Sequence, residues 1–219
     1  MADMPKHTIY PLSNYTFATK EAQHEELPTV LARLNRLETE FEQFGMRKTV
    51  EGLLVVHEHG HPHVLLLQVG NSYFKLPGDS LQPDEDEIFG LQQRMYLRLG
   101  PESGVDLKNG GVKAEDDAMN GVGSGGINDW TVGDAVGHFW RPNFETFMYP
   151  YMPAHISDPK ERKTWYLIKM PERQILTVPK NMKLVALPLF ELYDNAVRYG
   201  PQLASIPTLL SRIEFEYAS

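Results

Sequence analysis

The chain has no cysteine among its 219 residues. That excludes disulfides and thiolate zinc sites and fits a reducing compartment. It has no long apolar run either: the most apolar stretch, Leu184 to Phe190, contains Pro188 and is far too short to span a bilayer. The start, Met1-Ala2-Asp3-Met4-Pro5-Lys6-His7, carries no apolar signal region. Without one, the acceptor pattern Asn14-Tyr15-Thr16 is not expected to be glycosylated. Basic residues are few, 21 against 29 acidic ones, for a net charge of −8. Such a field opposes a polyanion and argues against binding through many phosphates. Neither a membrane nor DNA is expected as a partner, and an RNA role has to rest on reading bases at a small site.

The length fits one domain spanning 1–219, with residues 1–26 as an extended lead-in. A helix follows, with Pro28 near its first turn, Gly45 closing it, and an apolar stripe of Val30, Leu31, Leu34, Leu37, Phe41 and Phe44. Val50 to His57 and His63 to Val69 are Val- and Leu-rich strands joined by a short His/Gly/Pro turn. Ser72 to Leu76 is a short extended piece, and Glu85 to Leu99 a helix. Trp165 to Met170, Gln174 to Val178 and Lys183 to Leu187 read as strands, and Leu203 to Arg212 as a terminal helix. This order predicts an α/β fold with a sheet sandwiched between helices. Glu102 to Asp129 is rich in glycine, carries the acidic run Glu115-Asp116-Asp117, and lacks aliphatic periodicity. It reads as a flexible surface insertion.

Two motifs match a pattern without its context. Gly121 to Gly126 satisfies G-x-G-x-x-G, but no strand precedes it and no helix opens at its last glycine, so it reads as linker. His57-Glu58-His59-Gly60-His61 satisfies H-E-x-x-H, yet the residues before it are strand-like and Gly60 and Pro62 break a helix. Zinc binding by that motif needs both histidines on one helix face. The expectation is a hairpin tip, with no metal and no cofactor.

The stretch Pro77 to Gly100 resembles a Nudix box, G-x5-E-x7-R-E-U-x-E-E-x-G-U with U apolar. In that box, glutamates at i, i+3 and i+4 on one helix face hold Mg²⁺ on a substrate pyrophosphate. Aligned on Glu85 and Gly100, this chain has Gln93 for the arginine and Arg94, Leu97 and Arg98 for the three glutamates. Two arginines one turn apart repel a divalent cation. No catalytic residue is therefore assigned.

Longer strings resemble one divergent Nudix branch. They include Ile9 to Phe17, Gly45 to Gly52, Val56 to His59, Pro62 to Gln68, Trp140 to Phe144, Tyr149-Pro150-Tyr151 and Pro188 to Asn195. Together they are similar to the family of small, 25-kilodalton subunits of the pre-mRNA cleavage factor I complex, over nearly the whole chain apart from Glu102 to Asp129. The resemblance implies an α/β/α sandwich with a mixed sheet, a homodimer, no hydrolase activity and a nuclear location. It also implies recognition of UGUA in single-stranded pre-mRNA and association with a larger subunit through that subunit's RNA-recognition domain.

Single-stranded RNA is read by stacking bases and hydrogen-bonding their edges. By resemblance, Tyr73 takes the place of a base-stacking phenylalanine, with Phe74 and Leu76 in the same contact region. Arg33 corresponds to an arginine that contacts bases, Glu25 and Glu51 to carboxylates that accept base N–H donors, and Tyr199-Gly200 to a segment closing over the RNA. Tyr149, Tyr151 and Leu209 correspond to positions near the larger-subunit contact. Taken alone, Phe74 and Leu76 read more readily as core and Glu25 and Arg33 as a solvated helix end and face, while Tyr149 to Tyr151 read equally as a Pro-rich loop over the core. Glu51 is the least bland, because a carboxylate in an apolar strand needs partners. Two other functions remain open. One is a hydrolase whose metal site is rebuilt from Asp84, Glu85 and Asp86; the other is a dimeric scaffold that binds no RNA.

Overall fold

The computed structural model describes residues 5–23, 29–71, 73–101 and 130–219. Glu25 and the segment Glu102 to Asp129 lie outside the described residues. In chain order the elements are β1 (Lys6–Ile9), β2 (Tyr15–Lys20), α1 (Val30–Phe44), β3 (Arg47–Glu58), β4 (His61–Val69), β5 (Tyr73–Lys75), β6 (Gly78–Ser80), α2 (Glu87–Leu99) and β7 (Thr131–Arg141). Then come β8 (Glu161–Lys169), β9 (Gln174–Pro179), β10 (Met182–Pro188), α3 (Leu189–Leu192), α4 (Ala196–Ala204), α5 (Ile206–Leu210) and β11 (Glu214–Tyr217).

A 7-stranded mixed sheet in the order β10-β4-β3-β8-β7, with β5 on β4 and β6 on β3, forms the middle layer. β3 is its centre, parallel to β8 and antiparallel to β4. Successive side chains of a strand face opposite ways. Val50, Leu54 and Val56 therefore join Leu91, Met95 and Leu99 of α2, while Leu53 and Val55 join Leu192, Leu203 and Ile206 of α3 to α5. Covering on both faces is why these strands read as unbroken Val/Leu runs. Gly52 lies under α2, where a Cβ would come within 2.9 Å of Met95 Sδ and Ile168 Cγ1.

The histidine-rich motif is the β3–β4 hairpin. His59 and Gly60 have φ of 50° and 77°, the left-handed pair of a two-residue hairpin turn, and Glu58 pairs with His61. His57 Nε2 lies 2.8 Å from the Ala218 carbonyl oxygen and His63 Nδ1 2.9 Å from that of His61. The imidazoles thus have separate partners.

Several sequence expectations are corrected. The second helix begins at Glu87, because Asp86 accepts a hydrogen bond from Phe89 N–H at 2.9 Å and acts as its N-cap. The expected terminal helix is interrupted at Ser205: it falls in the end of α4, itself kinked at Gly200 (φ 82°), and in α5, with Pro207 in its first turn. The expected apolar stripe of α1 is largely uncovered: Leu37 is buried, whereas Leu31 and Phe44 are 69% and 63% exposed. β7 is a strand that its two glycines and Asp134 conceal; pairing with β8 imposes it, with bulges between Val132 and Gly137. The lead-in contains β1 and β2, which pair in parallel with the distant β11 and β9.

Gly52→Ala should lower stability by about 1–3 kcal/mol, because the added methyl has to displace Met95 and Ile168 in a packed core. A reduced urea midpoint at unchanged slope checks this.

Candidate nucleic-acid interface

On the α3–α5 face of the sheet, the edge nearer the start of β3 is polar rather than apolar. Glu51 accepts from Lys163 Nζ at 2.8 Å and from Trp165 Nε1 at 2.7 Å. Glu161, two residues before Lys163 on β8, accepts from Thr49 Oγ1 at 2.7 Å and Arg141 Nε at 2.8 Å. The period of two puts Thr49 and Glu51 on one face of β3 and Glu161, Lys163 and Trp165 on the same face of β8. Burial works against the charge of Glu161, but Arg141, Lys163 and the Thr49 hydroxyl outweigh it and hold its carboxyl below the usual 4.5. Burial likewise opposes the Lys163 ammonium, yet Glu51 and Glu161 hold it above the usual 10.5.

Side chains from three other elements border this floor. Tyr73 on β5 is about half exposed, and its phenol is close enough to act on the charge of Lys163. Phe74 turns inward against Tyr199 of α4, with ring centroids 5.0 Å apart in an edge-on arrangement. Gly78 has φ of 149°, and a Cβ there would run into the Val50 carbonyl and come within 2.6 Å of Glu51 Cα. β6 can approach Glu51 that closely only with glycine. Arg33 lies two turns before Glu40 on the same side of α1. Glu40 meets Arg47, the first residue of β3, at 2.6 Å, so α1 is tied to the start of β3.

Lys163 thus joins Glu51 by a hydrogen bond and Phe74 meets Tyr199 edge-on, with Tyr73 next to Phe74 on β5 and Arg33 on α1. Two of the expected residues are buried. Leu76 is 1% exposed and its side chain is core. Tyr199 is buried, its hydroxyl hydrogen-bonded to Glu191, and burial followed by that carboxylate raises its pKa to about 12. At both positions only backbone groups remain for a ligand.

The opposite face carries the degenerate box. Arg94 donates to both oxygens of Glu85, the Nη2–Oε2 contact being 2.8 Å, and its Nη2 also reaches the Ser80 carbonyl at 2.8 Å. Both side chains are largely buried. Arg98 Nη2 meets Asp79 Oδ2 at 2.9 Å, and its Nη1 meets Gln23 Oε1 at 3.2 Å. Lys20 Nζ donates to the Leu97 and Gly100 carbonyls at 2.7 and 2.9 Å, closing the negative end of α2 with a cation. Guanidinium groups occupy the face that glutamates and a metal take in the hydrolase pattern.

A Nudix family model described as nucleotide hydrolase matches residues 5–213. A pre-mRNA cleavage factor Im 25 kDa subunit of Arabidopsis thaliana is 47% identical over 210 residues, 96% of this chain and 95% of that protein. A cleavage and polyadenylation specificity factor subunit 5 of Dictyostelium discoideum is 40% identical over 211 residues, again 96% and 95% of the two chains. A second Arabidopsis 25 kDa subunit is 40% identical over 94% of this chain and 84% of its own. The chain belongs to the Nudix-fold family of small cleavage factor subunits.

In this cleavage factor chain the third set of predicted residues also comes together. Tyr149 pairs its backbone with Trp140, N–H to carbonyl in both directions at 2.7 and 2.8 Å, and its ring lies 4.9 Å from Phe147 and 5.7 Å from Tyr151. Leu209 and Pro150 line a groove of about 520 Å³ between β7 and α5. Sequence reasoning missed Lys163, Trp165, Glu161 and Arg141. Their signal was weak: charges at alternate positions of a strand that is otherwise apolar.

Glu161→Gln should lower stability at neutral pH and flatten its acid dependence. A depressed carboxyl contributes above its unfolded value near 4.5 and loses that contribution as pH falls toward the folded one. Urea midpoints of both proteins from pH 7 down to about 3 check the sign. Arg94→Met leaves Glu85 buried without its cation and should cost about 3 kcal/mol, read in the same assay.

Proposed function

We propose that this chain is a non-catalytic, sequence-specific RNA-binding subunit of the mRNA 3′-end processing machinery. It acts in the nucleus as a homodimer on a UGUA element, beside a larger subunit held through that subunit's RNA-recognition domain. The names of its relatives support the machinery. The observation that carries base reading is Glu51, an acceptor-only carboxylate fixed by two donors, with the half-exposed ring of Tyr73 on β5 available for stacking. Such a carboxylate accepts uracil N3–H or guanine N1–H and rejects bases with a lone pair there. Arg33, Phe74 and the backbone at Leu76, Tyr199 and Gly200 complete the contact surface, with Glu25 in the same role as Glu51.

Against the rebuilt-hydrolase alternative, two of its three carboxylates, Glu85 and Asp86, are engaged elsewhere. Glu85 is held by Arg94 and by Gln82 N–H at 2.7 Å, and Asp86 caps α2. Incubation with Mg²⁺ and diadenosine polyphosphates should give no turnover above a heat-killed control. Turnover lost on Glu85→Gln would establish the hydrolase instead. For the larger subunit, the aromatic rim of Tyr149 and Tyr151 beside the groove at Leu209 is the docking surface, since clustered aromatics anchor interfaces. Leu209→Asp should weaken that association and leave RNA binding unchanged.

Binding of a UGUA oligomer against its scrambled sequence separates the RNA reader from a pure scaffold. Tyr73→Ala should weaken UGUA binding by about 1–3 kcal/mol, the worth of one stacked base. With a net charge of −8, few phosphates are neutralised, and each contributes about −0.7 to the slope of log K against log salt. A slope no steeper than roughly −1.5 is expected from a salt series; about −4 would reveal a cationic groove and contradict readout by stacking and edges.

A further inference from the structure

The ammonium of Lys163 has a place in the cleft that its ion pair does not exhaust. Glu51 takes one of its three N–H donors. The carboxylate itself has two lone-pair directions on each oxygen, one of which is used by Lys163 Nζ and one by Trp165 Nε1. A ligand edge therefore meets a remaining acceptor and a remaining donor side by side. The two side chains are 12% and 18% exposed, so little water competes with that ligand. Tyr73 on β5 is half exposed and offers a ring for stacking.

We propose that Lys163 and Glu51 act as one donor–acceptor pair that reads the amide edge of a keto base. Glu51 accepts the ring N–H and Lys163 donates to the neighbouring carbonyl oxygen. Uracil offers N3–H beside O4 or O2, and guanine offers N1–H beside O6. Adenine and cytosine put a ring lone pair against the carboxylate and an amino group against the ammonium, a mismatch at both points. Lys163 is thereby a specificity-determining residue and not only the ion-pair partner of Glu51. The inference rests on the RNA-binding reading above.

The test measures binding of UGUA and of oligomers in which each keto base is replaced in turn by cytosine or adenine, or by 4-thiouracil, 2-thiouracil or 6-thioguanine. The thio bases keep the ring N–H and weaken the carbonyl acceptor. Wild-type protein is compared with Lys163→Met and Lys163→Arg, with thermal melts confirming the fold of each. At one keto position wild type should lose about tenfold or more on the amino-base substitution and several-fold on thio substitution. Lys163→Met should bind UGUA at least tenfold more weakly and lose the thio effect at that position, keeping only the part of the amino-base effect that Glu51 imposes, and Lys163→Arg should restore part of the affinity and of the thio effect. Equal weakening of every oligomer by Lys163→Met would overturn the inference. So would thio substitutions without effect on the wild type, an arm that needs no variant to fold. If wild type binds UGUA no better than its scrambled sequence, the RNA reading itself fails; discrimination of UGUA with an insensitive Lys163 defeats this inference alone.

Discussion

A carboxylate on the central strand of a sheet covered on both faces needs close hydrogen-bond partners, and Glu51 is such a group. Its compensation is a chain of charges rather than a single ion pair: Lys163 lies between Glu51 and Glu161, and Arg141 closes the far end. Desolvation opposes each of the two buried groups whose shift is resolved, and neighbouring opposite charge outweighs it in both. The row crosses β3, β8 and β7, so the sheet has to keep its register for the charges to meet. Glu51, the base acceptor of the proposed RNA site, is in this way held by the same contacts that keep the sheet in order. A preorganised acceptor loses little rotamer freedom when a ligand arrives.

The opposite face shows how the frame of the box persists with its glutamates replaced. The loop and helix of the box keep their course, with Asp86 capping α2 and Glu85 folded back under it. In the hydrolase pattern, acidic side chains there converge on a divalent cation. Here Arg94 and Arg98 bring the positive charge covalently and meet Glu85 and Asp79. Arg94 also binds the carbonyl of Ser80 in β6, the strand whose Gly78 presses on Glu51. The degenerate helix is thus physically connected to the opposite cleft through one short strand.

Much of this architecture was legible in the sequence. The strands β3, β4 and β8 to β10 followed from Val/Leu runs, α1 from its apolar period and closing glycine, and the loss of the box glutamates from a direct reading of Arg94, Leu97 and Arg98. The inward turn of Phe74 beside the outward Tyr73 followed from the strand period of two. β7 was not legible, because Gly133, Asp134 and Gly137 carry no strand propensity and the pairing partner supplies the order. Exposure of Leu31 and Phe44 on α1 was equally hidden, since an apolar period marks a face to be covered without saying what covers it.

The sequence by itself determined which chemistry was available: no thiol, no metal-binding glutamate triad, a shortage of basic charge, and a lone carboxylate in an apolar strand. Those are properties of residue type and local spacing, and they need no partner to be read. Only the tertiary structure decided how the charges are used. Lys163 lies 112 residues from Glu51 in the chain and Arg94 meets a carbonyl 14 residues away. The Coulomb energy that settles each pairing depends on separation and burial in the folded molecule, quantities that sequence distance does not encode.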